Sequence, residues 1–399
     1  MSESPRGALA TIAVGQLFAL SLWFSASAVA PQLEDVWNLS IGQVAGLTVA
    51  VQIGFVAGAL LLAVFNLADV FPSRRLFVAS AIGGALANLG LLAVSADTVT
   101  LGLALRFITG MFLAGVYPAG LKVMSGWFKT GRGMALGVLV GALTVGSASP
   151  HLVRGLGLEW EGVVVAASAL TFLSAGLMTR VGDGPHEVPS QPFQWNQLGR
   201  VMGNRGFRLS TYGYLGHMWE LYAMWTWVAA FLAASSAAAV VSYGSVPLIT
   251  FFVIAVGGLG SWWAGSLGDR FGRTKVAGGA MAISGTMALL TPLIFGTPVW
   301  VVVPVLLVWG FTVIADSAQF STMVTETSDD GVRGTALTLQ TAVGFLLTLV
   351  TIRGVPALAD SFGWQWAFPV LAIGPALGVL AMVRLMASPY RAKLAGGRG

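Results

Sequence analysis

Long apolar runs, each about as long as a membrane is thick, recur along the whole chain and leave few folds open to it. A helix needs about 20 apolar residues to cross a hydrocarbon core of about 30 Å. Runs of that kind occupy residues 8–30, 42–64, 75–96, 99–122, 133–153, 161–180, 208–234, 242–266, 275–296, 298–321, 334–357 and 365–386. They are continuously apolar rather than alternating, which excludes the strands of a transmembrane barrel. Polar punctuation such as Pro31–Asp35, Pro72–Arg75 and Gly157–Glu161 separates them. Only 9% of the 399 residues are charged, against about 25% in a soluble domain. Polar surface is too scarce for a soluble protein, a disordered chain or a nucleic-acid binder, in spite of a pI near 9.8. The sequence predicts an all-α polytopic membrane protein with twelve spans. Ala28-Val29-Ala30 has the form of a signal cleavage site, but its apolar run is about twice a signal core and Pro31 follows, so the run reads as an uncleaved span.

The basic residues set the orientation. With a cytoplasmic N-terminus, all of the 21 lysines and arginines fall on the inside except Arg106, Arg154 and Arg353. That asymmetry predicts both termini in the cytoplasm, and it makes the basic pI a topology signal rather than the mark of an acidic partner. The longest interruption, residues 181–206, carries Pro185, Pro189 and Pro192. It divides the chain into an N-terminal six-helix bundle (1–180), a cytoplasmic linker (181–206) and a C-terminal six-helix bundle (207–399).

The halves repeat at an almost fixed offset. Leu67-Ala68-Asp69 recurs as Leu267-Gly268-Asp269, Gly110 as Gly310, and Arg132-Gly133 as Arg333-Gly334. Two parallel halves with a solute site between them at mid-membrane is a transporter arrangement. Between spans eight and nine stands Gly265-Ser-Leu-Gly-Asp269-Arg270-Phe-Gly-Arg273. An aspartate beside fixed cations at a glycine turn can latch helix ends together. The copy around Asp69, Arg74 and Arg75 lacks both glycines and the arginine after the aspartate.

The loop at Gly265–Arg273 resembles the G-x-L-x-D-R-x-G-R signature of the major facilitator superfamily. Arg106, Gly110 and Tyr117-Pro118 are similar to the arginine motif of its fourth helix. Gly137-x8-Gly146-x2-Ser149-Pro150 approximates its antiporter motif, with serine in place of a glycine. The resemblance implies two pseudo-symmetric six-helix bundles, with helices one, four, seven and ten lining a central cavity. It also implies a secondary carrier in the cytoplasmic (inner) membrane. Its partners would be the lipid bilayer, a small solute and protons, with sodium as the alternative ion. A monomer is expected.

A charge inside the bilayer is costly and is a functional candidate by default. Glu220 lies near the middle of span seven, and His217 is three residues earlier on the same helix face. A carboxylate beside a histidine can take up a proton and hand it on. The alternative is that Glu220 pins helices together. Arg106 reads equally as a cation for an anionic solute, with Tyr117 further along its face, or as a packing arginine bonded to carbonyls. Asp316, with Gln319 nearby, reads rather as a structural contact to a neighbouring helix. Trp23 and Trp227 are candidates for an apolar solute wall. Zero cysteines exclude disulfides and thiolate metal sites, and three scattered histidines make neither a metal site nor a cofactor expected. No nucleotide-binding motif or nucleophile–base pair appears at motif spacing, so the chain does not read as an enzyme. The leading expectation is a proton-coupled carrier of a small organic or inorganic anion. A drug or metabolite exporter is the alternative.

Overall fold

The computed structural model describes every residue except 1–3, 66, 129–131, 183, 187–193 and 240–243, and every side chain among them except those of 68, 69, 132, 133 and 330. Regular structure among the described residues is entirely helical. Eleven helical stretches among them are long and apolar enough to cross a membrane. The chain folds as two compact units, Met1–Pro189 with Gly244–Ala255, and Ser190–Tyr243 with Val256–Gly399.

The first unit begins with α1 (Pro5–Leu20). Its Ser4 cap accepts from the Gly7 N–H at 3.1 Å, and Pro5 occupies the first turn, where a missing N–H costs nothing. The expected continuous span 8–30 is broken here. After Leu20 the chain turns through residues 21–26 and a short 3-10 segment, Ser27–Val29, before α2 (Ala30–Trp37). The cause is local: Ser21 and Ser25 hydroxyls bond back to the Phe18 and Leu22 carbonyls and compete with the helical ladder. Asn38, in the left-handed region at φ 50°, ends α2. A Ser40/Gln43 capping box then starts α3 (Ile41–Val64).

The unit continues with α4 (Leu67–Val70), α5 (Ser73–Leu89), α6 (Val99–Trp127), α7 (Arg132–Gly155) and α8 (Trp160–Met178). Glycines bring α3 and α6 into backbone contact. A Cβ on Gly54 would collide with the Phe107 carbonyl, and one on Gly110 with the Val51 carbonyl. Such small-residue seams are how membrane helices gain packing energy without a hydrophobic drive.

The second unit opens with α9 (Leu198–Gly203) and α10 (Arg205–Ala238). Asn204 caps α10 by accepting from the Phe207 N–H at 3.0 Å. The next helix, α11 (Val246–Ala255), belongs with the first unit, where Leu248 fits against Gly155 of α7. Expected span eight is shared by α11 and α12 (Gly257–Phe271). Gly272, at φ 103°, turns the chain from α12 into α13 (Arg273–Ile294). A Cβ on Gly260 of α12 would meet the Phe311 carbonyl, so spans eight and ten, like spans two and four, meet through a glycine.

Expected span ten is also divided. It forms α14 (Val299–Val313), a turn over residues 314–316, and α15 (Ser317–Thr327). The Thr312 hydroxyl bonds back to the Val308 carbonyl at 2.8 Å, just before the break. The unit ends with α16 (Arg333–Phe362), α17 (Trp364–Ala367), α18 (Ile373–Met386) and a 3-10 tail, Pro389–Gly397. Pro118, Pro150, Pro292, Pro304 and Pro356 lie inside helices, where neighbouring membrane helices can re-satisfy the freed carbonyls.

Candidate functional site

In the second unit, α10 presents Glu220 and His217 from one buried face; each is 1% exposed. The sequence suggests that they share a proton with each other, but the structure gives them different partners. Glu220 accepts from Ser284 Oγ of α13 at 2.8 Å and from Trp309 Nε1 of α14 at 2.6 Å. His217 Nδ1 instead lies 2.7 Å from Asp316 Oδ1. The reason is the break between α14 and α15. Asp316 stands at the end of that break, as the N-cap of α15, against His217 of α10. Asp316 is likewise 1% exposed. Two buried groupings result: Glu220 with the neutral donors Ser284 and Trp309, and His217 with Asp316.

Arg106, on α6 of the first unit, is fully buried. Its Nη1 donates to the Leu22 carbonyl at 3.0 Å, to Ser25 Oγ at 3.1 Å and to Asn88 Oδ1 at 3.2 Å. Its Nη2 donates to the Trp23 carbonyl at 2.5 Å. Leu22 and Trp23 lie in the broken part of the first span, so the guanidinium fork takes up carbonyls that the break exposes. Asn88 extends the cluster by donating to the Val164 carbonyl and to Ser168 Oγ on α8. Of the two readings open for Arg106, this geometry favours the packing one.

The remaining candidates lie elsewhere. Trp23 is buried with its ring 5.0 Å from Phe55. Trp227 donates to the Ile352 carbonyl at 2.8 Å, so it ties α10 to α16. Tyr117 is half-buried on α6. In the loop motif, Gly265 is buried in α12 while Asp269 and Arg270 are exposed. Arg273 grips Glu326 with two nitrogens at 2.9 and 2.8 Å and reaches Asp269 at 3.0 Å and Gln319 Oε1 at 3.3 Å. The tail docks on the same network: the Ala395 N–H donates to Glu326, and Arg398 donates to the Asp269 carbonyl. In the first copy, Arg74 donates to the Thr179 carbonyl at 3.0 Å and so caps α8. The side chain of Asp69 lies outside the described residues. No group of three or more His, Asp or Glu able to hold a metal occurs among the described residues.

Sequence reasoning missed Ser284, Trp309, Asn88 and Glu326. Asn88 carried a usable signal, an amide inside an apolar run. Ser284 carried none, because serine is an ordinary packing residue in membrane helices.

A family model described as "Major Facilitator Superfamily" matches residues 12–249. Among solved structures, the chain is similar to the proton:xylose symporter XylE bound to 6-bromo-6-deoxy-D-glucose. That match has a TM-score of 0.70 at 15% identity and covers 94% of each chain. It is also similar to the nucleoside transporter NupG, with a TM-score of 0.71 at 14% identity, covering 95% of this chain and 99% of that one. No curated protein matches the chain.

Proposed function

Because this chain belongs to the major facilitator superfamily, we propose that it is a proton-coupled secondary transporter of a small solute. It would work by alternating access in the cytoplasmic membrane, with both termini inside. The observation that carries this reading is Glu220. It is a carboxylate 1% exposed in a membrane helix, held by two neutral donors and accompanied by Asp316 and His217. Burying such a group is expensive, and a proton carrier is the function that repays it. Two structures of the same fold are a proton:xylose symporter and a nucleoside transporter, which is in keeping with a small solute.

Arg106 is the reason to favour an anion in the sequence, and its terminal nitrogens are spent on neutral protein acceptors. The anion preference is therefore not carried forward. That same observation favours a second reading, proton-driven export of a drug or metabolite, with the carboxylates as the titrating groups.

Proteoliposomes with a pH-sensitive dye inside, offered separate pools of neutral solutes, anions and lipophilic cations, test the proposal. Solute-linked proton movement that disappears in Glu220→Gln supports it, and the responding pool separates the two readings. Solute equilibration with no proton movement from any pool overturns it.

A further inference from the structure

The carboxyl group of Glu220 has one fixed partner and one adjustable partner. An indole N–H can only donate. Oε1, which faces Trp309 Nε1 at 2.6 Å, is therefore an acceptor whether or not the carboxyl carries a proton. A proton on Glu220 belongs on Oε2. There, Ser284 Oγ lies 2.8 Å away, and a hydroxyl can either donate or accept. The same Oγ lies 3.2 Å from the Met281 carbonyl, one turn back on α13. Its single hydrogen thus has two acceptors within reach, one on Glu220 and one on its own helix. Ser284 is itself 1% exposed, so bulk water is not at hand to make up a missing bond.

We infer that Ser284 is a hydroxyl switch that lets Glu220 gain and lose its proton without stranding a buried polar atom in either state. The inference rests on the proton-carrying role proposed for Glu220. In the charged state, Ser284 donates to Oε2. When a proton delivered from water forms the O–H bond at Oε2, the new O–H donates to Ser284 Oγ. The Ser284 hydrogen then turns to the Met281 carbonyl. No covalent bond to Ser284 forms or breaks, and release of the proton reverses the rotation. Without the second acceptor, the protonated state would leave two hydrogens facing each other between Oε2 and Oγ. A buried polar group left unmatched in that way is costly, and more so where no water penetrates.

The titratable neighbours are His217 on α10 itself and Asp316 at the head of α15. The other charges of the surrounding helices are Arg205 and Arg208 on α10, Arg273 and Lys275 on α13, Glu326 on α15, Arg333, Arg353 and Asp360 on α16, and Arg384 on α18. Arg205, Arg208, Arg273, Lys275, Arg333 and Arg384 stand in the first or last turns of their helices. Glu326 is engaged with Arg273.

The test is infrared difference spectroscopy of the full chain in lipid vesicles after a pH jump, with the proton as the only probe. Acidification of the unsubstituted protein is expected to raise a carboxylic C=O band that Glu220→Gln removes. In Ser284→Ala that band is expected to move to the higher frequency of a carboxyl that donates no hydrogen bond, and in Ser284→Thr to return. A purely packing role for Ser284 would lower thermal stability and leave the band in place. Should the alanine variant fold poorly, Ser284→Cys keeps a weak acceptor and is expected to give an intermediate shift. A band unmoved in the alanine variant, or in the cysteine variant when that one is used, overturns the switch. A carboxylic spectrum that Glu220→Gln leaves unchanged, or no band in the unsubstituted protein, overturns instead the role of Glu220.

Discussion

The guanidinium of Arg106 meets the main chain of the first span at Leu22 and Trp23, where helical bonding has lapsed. Removing it takes a charged donor from both carbonyls and from Asn88 Oδ1, with Ser25 Oγ still in reach of the Leu22 carbonyl and of Asn88. At about 1–3 kcal/mol for a buried polar group left unmatched, Arg106→Ala is expected to lower the melting temperature clearly. Arg106→Lys keeps the charge but not the fork and should fall between. Full stability with transport lost would return Arg106 to a solute-binding role. At the other cluster, His217 and Asp316 approach to 2.7 Å with both side chains almost wholly buried. A double-mutant cycle of His217→Ala and Asp316→Ala should show a coupling of about 0.5–3 kcal/mol in melting experiments. Additive losses would mean that the approach has no energetic content. Both clusters stand on residues that the sequence singles out. Their partners were not legible, because Asn88, Ser284 and Trp309 reach these charges from other helices.

Some spans read as uninterrupted in the sequence are broken in the structure. The first and tenth spans are broken at residues 21–29 and 314–316, and in each case a buried charge or its partner sits at the break. Hydropathy could not reveal this, since Ser21-Leu22-Trp23-Phe24-Ser25 is apolar enough to continue a span. Serine back-bonding and a neighbouring arginine decide otherwise. The glycine seams behave differently and can be tested directly. Gly54→Ala must part α3 from α6 at the Phe107 carbonyl, and overpacking of that kind costs about 1–3 kcal/mol. Gly176, on α8, has nothing within 4 Å of a Cβ. Gly176→Ala should therefore be neutral or stabilise by about 0.5–1 kcal/mol. Thermal unfolding of the two variants side by side measures the difference, and equal melting temperatures would remove the seam as a specific contact.

At the scale of the whole chain, the repeat read in the sequence has a physical counterpart inside each unit. Gly54 against Phe107 and Gly260 against Phe311 join the equivalent pairs of spans, two with four and eight with ten, through a glycine on a carbonyl, at positions not themselves equivalent in the repeat. The loop motif around Asp269 likewise sits in a charged network, joining α12, α13, α15 and the tail. Orientation is open to a direct measurement, because the chain has no cysteine. Arg6→Cys and Ala392→Cys, introduced singly at exposed positions, are expected to react with a membrane-impermeant thiol reagent only after the membrane is opened. Labelling of intact cells at either position would reverse the proposed topology.

Residue order was enough for the membrane class, the placing of most spans, the two-fold repeat, the family and the few buried charges worth attention. Those properties are sums over adjacent residues or motifs of fixed spacing, and they survive without knowledge of what touches what. Tertiary structure alone decided that His217 faces Asp316 rather than Glu220, that Glu220 is held by Ser284 and Trp309, and that Arg106 closes a broken helix. A buried polar atom takes whichever partner packing brings within about 3 Å, and that partner comes from a helix tens or hundreds of residues away.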